Sequence, residues 1–413
     1  MDEKLPRYEF EKFPLGFWPI YPYDISGVTE EEIKDWAEIG MTLTVSADTD
    51  HSLKDETLRV LDLCQKYGIK LILRDDRTWW TNVREGKEEY RKMYREAVED
   101  YGHHPATVGF FLGDEPGEAA LPECAEAYRI ALSEGPDLIP YLNMYPAFAG
   151  KARNFMKDSG CRLLSFDRYT QMNPEESGKD GFYSDLVENK RLADENDVPM
   201  LAIMLSAGHY RYRVPSEDDY RWQLGVALAC GANAVFWFTY RTPGRNNNYR
   251  GAPISEFGDK NPTYYALRNV QKRFNAYYAD LFNHCTFKSV YWYGKKCPAM
   301  EPYRPLAYKE ANEAGLIGVY SEHSTPGLVT FFDGKGKYEG RHYVMVTNNT
   351  NDKSDLFYMT VPADVKKMWR VYTNGEIDFA SSHHDARLHQ TENYTECGCY
   401  LAPGQYEIFR FEV

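Results

Sequence analysis

Three carboxylates stand at the ends of predicted strands, a placement that would let them act together on one bound molecule. Asp114 and Glu115 follow the apolar run 107–112 after one glycine, and Asp167 closes the run 162–167. A carboxylic acid can protonate a leaving oxygen while a second carboxylate serves as base, nucleophile or stabiliser of positive charge. These residue types at these positions predict acid/base chemistry of the kind that breaks a glycosidic bond.

Aromatic and hydrogen-bonding residues occupy the other predicted strand ends. Sugars are held by flat aromatic faces together with groups that bind hydroxyls, and the chain has 33 Tyr, 21 Phe and 8 Trp. We expect Trp237 to stack beneath a sugar, and Asp75 or Asp76 to hold two hydroxyls. The predicted substrate-binding residues are Trp18, Asp75, Asp76, Asn143, Tyr145, Arg168, Tyr169, His209, Trp237 and Tyr240.

The same strand ends do not predict a metal or a cofactor. A hydrolytic metal site would need several histidines, and His209 is the only histidine at a predicted strand end. A phosphate-bearing cofactor would need cations or a glycine-rich loop after a strand, whereas these strand ends are acidic, aromatic and almost free of lysine, and no nucleotide-binding glycine motif follows a strand. We therefore expect catalysis by side chains alone.

Short apolar runs alternate with longer amphipathic segments through residues 1–285. Eight such pairs predict an α/β fold with a parallel sheet, and their number and length are those of a (β/α)8 TIM barrel. A doubly wound sheet is the competing architecture, but no nucleotide-binding glycine motif follows any strand. The predicted strands are 14–22, 41–48, 69–76, 107–112, 139–146, 162–167, 199–206 and 233–240.

Beyond residue 285 the pattern changes to strands without long helices between them. Runs that favour strands are separated by Gly, Pro, Asn and Asp, which predicts a small C-terminal antiparallel β-sandwich. We therefore divide the chain into a catalytic barrel, 1–285, and a β-sandwich domain, 286–413. The predicted strands of the second domain are 287–293, 316–320, 328–332, 342–347, 356–361, 369–372 and 406–411.

Charge and hydropathy limit the partners. A net charge of -14 repels nucleic acid, and no apolar stretch is long enough to cross a membrane. We expect a carbohydrate substrate, no nucleic acid and no membrane span, and the sequence leaves the oligomeric state open. The N-terminus is charged where a signal peptide would be apolar. The compartment stays open, with a periplasmic or secreted location following if a leader has been removed.

The segment 103–116 resembles a motif of barrel glycoside hydrolases. It reads His-His-Pro before the fourth strand and Gly-Asp-Glu-Pro after it. In the large retaining clan of these enzymes a His-Pro turn leads into strand four, which ends in Asn-Glu with the Glu as acid/base. The aromatic run 236–240 and a C-terminal sandwich ending in 401–404 extend the resemblance over the chain. The resemblance implies that Glu115 is the general acid/base.

Two departures from the clan's pattern leave the second catalytic group open. Asp114 replaces the family's Asn, and the strand-seven nucleophile is missing, because that strand runs into 206–210, Ser-Ala-Gly-His-Tyr. An adjacent Asp-Glu pair instead resembles the β-N-acetylhexosaminidase families, including those acting on N-acetylgalactosaminides. That resemblance implies substrate-assisted catalysis, in which Asp114 orients a 2-acetamido group whose oxygen attacks the anomeric carbon.

Two alternatives remain beside the substrate-assisted mechanism. In the first, Asp167 faces Glu115 across the barrel mouth as base or nucleophile, and the sugar carries no acetamido group. In the second, the barrel has lost its nucleophile and binds carbohydrate without cleaving it. Sugar identity, linkage, stereochemical outcome and endo or exo action are not determined by the sequence.

Overall fold

The computed structural model describes residues 7–18, 20–144, 149–176, 178–244, 248–295, 303–307, 309, 311, 315–373, 375–379 and 387–412. Two compact units make up the chain. The first comprises Met1–Gly178, Asp185–Val214 and Ala232–Arg268, and the second comprises Lys179–Ser184, Pro215–Gly231 and Asn269–Val413. The domain boundary at residue 285 stays a prediction.

Eight parallel strands form the sheet of the first unit, and they confirm the predicted TIM barrel. Their order around the sheet is β1-β8-β7-β6-β5-β4-β3-β2, so each strand from β2 to β7 neighbours the next one in the chain, and β8 neighbours β1. The strands are β1 (Leu15–Trp18), β2 (Leu43–Thr49), β3 (Lys70–Asp75), β4 (Thr107–Asp114), β5 (Ile139–Met144), β6 (Leu164–Asp167), β7 (Met200–Leu205) and β8 (Ala234–Phe238).

Threonine side chains join β1 to β2. The backbone N–H of Leu15 donates to Thr42 Oγ1 at 2.9 Å, and that of Phe17 donates to Thr44 Oγ1 at 3.2 Å. These hydroxyls satisfy backbone groups that an ordinary strand ladder would pair. Gly16 permits the close approach, because a Cβ atom there would lie 1.8 Å from the Leu43 carbonyl oxygen. The sheet is thereby nearly closed into a ring.

Helices follow most strands. Helix α1 begins after Thr29, whose hydroxyl accepts from the Glu32 N–H at 3.2 Å, and ends at the left-handed Gly40. Within the described residues, no helix combines the length and apolar character needed to cross a bilayer. The helices are α1 (Glu30–Ile39), α2 (Lys54–Tyr67), α3 (Lys87–Ala97), α4 (Leu121–Glu134), α5 (Ala149–Ser159), α6 (Lys179–Asn196), α7 (Glu217–Ala229), α8 (Pro262–Tyr277) and α9 (Ala279–Asn283).

Inward-facing side chains fill the barrel beneath its mouth. Side chains alternate faces along a strand, so Ala234 and Phe236 of β8 enter one cluster while Trp237 does not. Trp18, Phe111 and Tyr141 lie in the same cluster, with centroid separations of 5.4 Å and 6.1 Å from Trp18 to the other two rings. This apolar plug supports the polar residues at the strand ends.

The second unit contains two antiparallel sheets that confirm the predicted β-sandwich. A four-stranded sheet has the order β10-β13-β17-β16, and a six-stranded sheet has the order β15-β14-β18-β12-β11-β9. Apolar residues of both sheets share one core. The strands are β9 (Cys285–Tyr293), β10 (Gly318–Ser321), β11 (Gly327–Gly334), β12 (His342–Asn348), β13 (Asp355–Pro362), β14 (Lys367–Tyr372), β15 (Gly375–Asp378), β16 (Arg387–Gln390), β17 (Tyr394–Leu401) and β18 (Tyr406–Glu412).

Candidate active site

The end of β4 presents two adjacent carboxylates to solvent. Asp114 is the last residue of β4, and Glu115 follows with a φ of 39°, a left-handed conformation that is uncommon for a residue with a side chain. The backbone N–H of Glu115 donates to the Asn143 carbonyl oxygen at 3.0 Å, which fixes this turn to β5. A strained backbone conformation persists only where the surrounding structure holds it in place. Such conformations occur most often at functional sites.

Asn143 links the carboxylates of two strands. Its Nδ2 lies 3.1 Å from Asp114 Oδ1 and 3.1 Å from Asp167 Oδ1, so one amide donates to both. The Ser165 hydroxyl donates to the Asn143 side-chain oxygen at 2.9 Å and lies 2.9 Å from the Tyr141 hydroxyl. Asn143 is 3% exposed, and this buried chain of hydrogen bonds holds the amide in one orientation.

Glu115 and Asp167 form a carboxyl pair. Each carboxyl group changes the pKa of the other: Asp167 raises the pKa of Glu115, and Glu115 lowers that of Asp167. Tyr169 lies beside Asp167 and also lowers the pKa of that carboxyl group. Two carboxyl groups in contact cannot both be ionised at moderate cost, so the pair shares one proton near neutral pH.

The surroundings raise the pKa of all three carboxyl groups. Partial burial raises the pKa of Asp114 to about 6, although the Asn143 hydrogen bond opposes that rise. Burial, followed by the charge of Asp167, raises the pKa of Glu115 to about 8. Burial also raises the pKa of Asp167, against the hydrogen bonds from Asn143 and Glu115. Glu115 is therefore protonated at a pH where an ordinary Glu is ionised.

An aromatic wall stands on one side of the carboxyl pair. The rings of Tyr169 and Phe238 stack with centroids 5.4 Å apart, and both side chains are half-buried. The His209 ring stacks on Tyr249 at 4.9 Å and is itself buried. Burial lowers the pKa of His209, so this ring is neutral and serves as part of the wall.

A second group of aromatic residues lies on the β3 and β4 side. Trp79 packs edge-on against Phe111 at 5.2 Å, and the Arg74 guanidinium lies 5.7 Å and 5.1 Å from these two rings. Arg74 also forms an ion pair with Asp48 at 3.0 Å. The positive charge of Arg74 favours ionised Asp114, which opposes but does not cancel the rise in the pKa of Asp114 caused by burial. Trp18 is buried beneath this group and contacts Phe111.

Several residues predicted to bind substrate are not accessible to one. Trp237 and Tyr240 are 0% and 1% exposed, so neither can stack on a sugar, and Phe238 occupies the position that was expected of Trp237. Asp75 is also 0% exposed, and its two oxygens accept from the Arg77 side chain at 2.9 Å each. We therefore leave Trp237, Tyr240 and Asp75 out of the proposed site.

The remaining predicted residues have separate positions. Arg168 forms an ion pair with Asp185 at 3.1 Å, which differs from the expectation that it binds substrate. Asp76 is exposed and accepts from the His51 side chain at 2.9 Å. Tyr145 lies outside the described residues.

Two clusters within the described part of the chain have ligand atoms close enough together to hold a metal ion. One contains Asp50, His51 and Asp76, and the other contains Glu322, His323 and Asp355. Neither includes Glu115 or Asp167. The two candidate metal clusters are therefore separate from the carboxyl pair.

Comparison with known proteins relates the chain to other barrels through structure alone. No protein-family model and no curated protein sequence matches it. A solved structure described as a glycoside hydrolase has a TM-score of 0.57 and 12% identity, covering 97% of this chain and 92% of that chain. A family 39 glycoside hydrolase from the gut symbiont Bacteroides cellulosilyticus WH2 has a TM-score of 0.51 and 13% identity, covering 100% and 82%.

A β-galactosidase from Marinomonas ef1 is similar over a smaller part of the chain. Its TM-score is 0.52 at 12% identity, covering 64% of this chain and 60% of that chain. At such identities the likeness shows a shared fold. Function must therefore be argued from the residues of this chain.

Proposed function

We propose that this protein is a glycoside hydrolase in which Glu115 donates a proton to the leaving oxygen and Asp167 is the second carboxylate. The observation that carries the proposal is the grouping of these carboxyl groups at the ends of β4 and β6, where Asn143 links Asp114 to Asp167 and Asp167 raises the pKa of Glu115. Fold similarity to solved glycoside hydrolases supports it, as far as a fold can.

The electrostatics of the pair divide the two roles. A general acid must hold its proton at the working pH, and the raised pKa of Glu115, about 8, meets that requirement. The Asp167 carboxylate accepts a hydrogen bond from Asn143 at 3.1 Å, and both Asn143 and Tyr169 lower its pKa and so favour its ionised form. Glu115 is thus the acid and Asp167 the anion, and cleavage of an acetal needs one group of each kind.

Substrate must separate the two carboxyl groups. Retaining glycosidases hold their carboxyl groups about 5–5.5 Å apart and inverting ones about 6.5–9.5 Å apart, whereas Glu115 and Asp167 interact directly with one another. In the proposed reaction the glycosidic oxygen replaces Asp167 as the acceptor of the Glu115 proton. Asp167 then faces the anomeric carbon as a full carboxylate, where it stabilises the developing positive charge or attacks it.

The aromatic residues would hold the sugar ring. Phe238 and Tyr169 are half-buried beside the pair, so their faces can stack on the apolar face of a pyranose. Trp79 is half-buried on the other side. This arrangement supports a carbohydrate rather than a peptide or phosphate ester as substrate.

Substrate-assisted catalysis is the second candidate. Asp114 is exposed beside Glu115, its Oδ1 is held by Asn143, and its Oδ2 has no hydrogen-bond partner among the described residues. That free oxygen could accept from the N–H of a 2-acetamido group, whose carbonyl oxygen would then attack the anomeric carbon. In this mechanism catalysis requires Asp114, and Asp167 contributes only by holding Asn143, which in turn holds Asp114.

Paired chromogenic glycosides test the proposal and separate the two mechanisms. Each N-acetylhexosaminide is assayed beside its 2-hydroxy counterpart on wild type, Asp114→Asn and Asp167→Asn, with exposed Asp137→Asn as a matched control. Loss of 2-hydroxy glycoside cleavage in Asp167→Asn alone is the expected result. Cleavage confined to N-acetyl sugars and abolished by Asp114→Asn would replace it with the substrate-assisted mechanism. No cleavage of any glycoside, with sugar binding retained, would favour a non-catalytic carbohydrate-binding barrel.

A further inference from the structure

An acidic cavity opens at the ends of β2 and β3. Its volume is about 380 Å³, and four aspartates line it together with Thr49, Arg74 and Trp79. The aspartates are Asp24, Asp48, Asp50 and Asp76. Of these, only Asp76 was singled out as a binding residue from the sequence.

Positive groups neutralise only part of this acidic lining. Arg74 pairs with Asp48 at 3.0 Å, and His51 pairs with Asp76 at 2.9 Å, a contact that raises the pKa of His51. Hydrogen bonds from Ser52 lower the pKa of Asp50, so that group is ionised at neutral pH. The cavity therefore carries net negative charge in every state that is populated near neutrality.

Several acceptors in the cavity are left for a ligand. Asp24, Asp48 and Asp50 are exposed, and each carboxylate has more acceptor sites than its hydrogen bonds and ion pairs through Oδ1 use, so acceptors face a ligand. Thr49 is 2% exposed and lines the cavity, yet its hydroxyl has no hydrogen-bond partner. An unpartnered buried hydroxyl is unfavourable unless a bound molecule or water completes it.

Arg74 connects this cavity to the carboxyl groups of the proposed active site. Its guanidinium lies over both Trp79, a wall of the cavity, and Phe111 of β4. The positive charge of Arg74 also acts on Asp114, beside Glu115, by favouring the ionised form of that carboxyl group. A chain of sugar units bound at Glu115 could therefore extend into the cavity.

We propose that this acidic cavity is a sugar subsite, which accepts a neutral or amine-bearing unit and excludes a unit that carries a carboxylate or sulfate. The proposal rests on the glycosidase function argued above. Carboxylate oxygens suit pairs of sugar hydroxyls or an ammonium group, and Trp79 offers an aromatic face. An anionic sugar would be repelled by Asp24 and Asp50, which have no strong cationic partner.

Binding of three matched probes tests this selectivity without requiring turnover. Methyl β-D-glucosaminide, methyl β-D-glucoside and methyl β-D-glucuronide are titrated into the full chain by ligand-observed NMR, at about pH 6 with EDTA present. We expect the amine-bearing probe to bind roughly tenfold more tightly than the carboxylate-bearing one. The Asp24→Asn/Asp50→Asn double variant should reduce that ratio to about twofold or less. Asn retains the turn-capping hydrogen bonds, so the variant should fold.

The matched control is Asp137→Asn, which removes an exposed carboxylate elsewhere and should leave the ratio unchanged. Equal binding of the three probes to wild type, or a ratio that survives the double substitution, would overturn the subsite. If the ratio behaves as expected while no glycoside is cleaved by wild type, the cavity binds sugar and the proposed function fails instead. Cleavage of glycosides with no charge preference among the probes would remove the subsite alone.

Discussion

The carboxyl groups of Glu115, at the end of β4, and Asp167, at the end of β6, interact across the mouth of the barrel, and the interaction raises the pKa of Glu115. This contact stores a proton on the residue that must give it to a leaving group. It also makes the protonation of each carboxyl group depend on the other. The predictions below follow from that relationship and from the packing around it.

The pH dependence of kcat/KM should have a basic limb near pH 8. Glu115 must be protonated to act as acid, and its pKa is raised to about 8 by burial and by the charge of Asp167, with a smaller contribution from Asp114. Asp114→Asn removes that smaller contribution and should move the basic limb to lower pH. A pH profile of both proteins on one chromogenic substrate measures the shift. A basic limb below pH 6 in wild type contradicts this assignment.

Glu115→Gln should raise thermal stability more at pH 8 than at pH 5. The pKa of Glu115 is higher in the folded protein than its ordinary 4.5, so the folded state retains a proton that the unfolded state releases. Stability contributed by this group is present below the unfolded pKa and is lost as pH rises towards 8. The Gln variant does not undergo this loss.

Because Glu115 is exposed, we expect a gain of only about 1–3 °C in Tm at pH 8. Thermal melts of the variant and wild type across pH 5 to 8 measure the difference, with Glu96→Gln, an exposed residue of α3, as control. A difference that shrinks with rising pH contradicts the raised pKa.

Trp237 and Phe238 should respond to truncation in opposite ways. Trp237 is fully buried, so Trp237→Ala should lower the free energy of unfolding by about 3–5 kcal/mol. Phe238 is half-buried and stacks on Tyr169, so Phe238→Ala should raise KM by roughly 3- to 10-fold with a smaller loss of stability. Urea denaturation and steady-state kinetics on both variants distinguish the roles. A larger KM effect at Trp237 in a stable variant would return that residue to the binding site.

Asp75→Ala should destabilise the barrel without a specific effect on substrate. Asp75 is fully buried against the Arg77 side chain, and removing it leaves the buried Arg77 guanidinium with Asp100 as its remaining ion-pair partner and with two donors unsatisfied. We expect a loss of about 3–5 kcal/mol in unfolding free energy. Exposed Asp76→Ala is the matched comparison and should have little effect on stability. A stable Asp75→Ala protein with raised KM would show that the residue binds substrate after all.

The fold could be predicted from the sequence because each buried parallel strand is a short apolar run followed by a longer segment. Two helices of the first unit, α4 and α5, were not predicted. Helix α4 starts without a capping side chain, and the first turn of α5 has no acidic residue. Strands β15 and β16 were also missed, since each is only four residues long and mostly polar.

The only part of the site that could be predicted is the set of residues that lie at strand ends. That rule brought Asp114, Glu115, Asn143 and Asp167 to one place. It could not determine which face a side chain takes. The run Phe236-Trp237-Phe238 is aromatic at every position, so no alternation marks the residue that faces the mouth. The acidic cavity likewise depends on loop geometry, which spacing alone does not encode.

The most direct test of Glu115 as proton donor compares leaving groups. A dinitrophenol leaves without protonation, whereas an alcohol or simple phenol needs an acid. For Glu115→Gln, we predict that kcat/KM falls about 10²- to 10⁴-fold on an alkyl or phenyl glycoside and far less on the dinitrophenyl glycoside of the same sugar. A variant that keeps more than a tenth of wild-type activity on the phenyl glycoside, or that loses both substrates equally, would contradict the account.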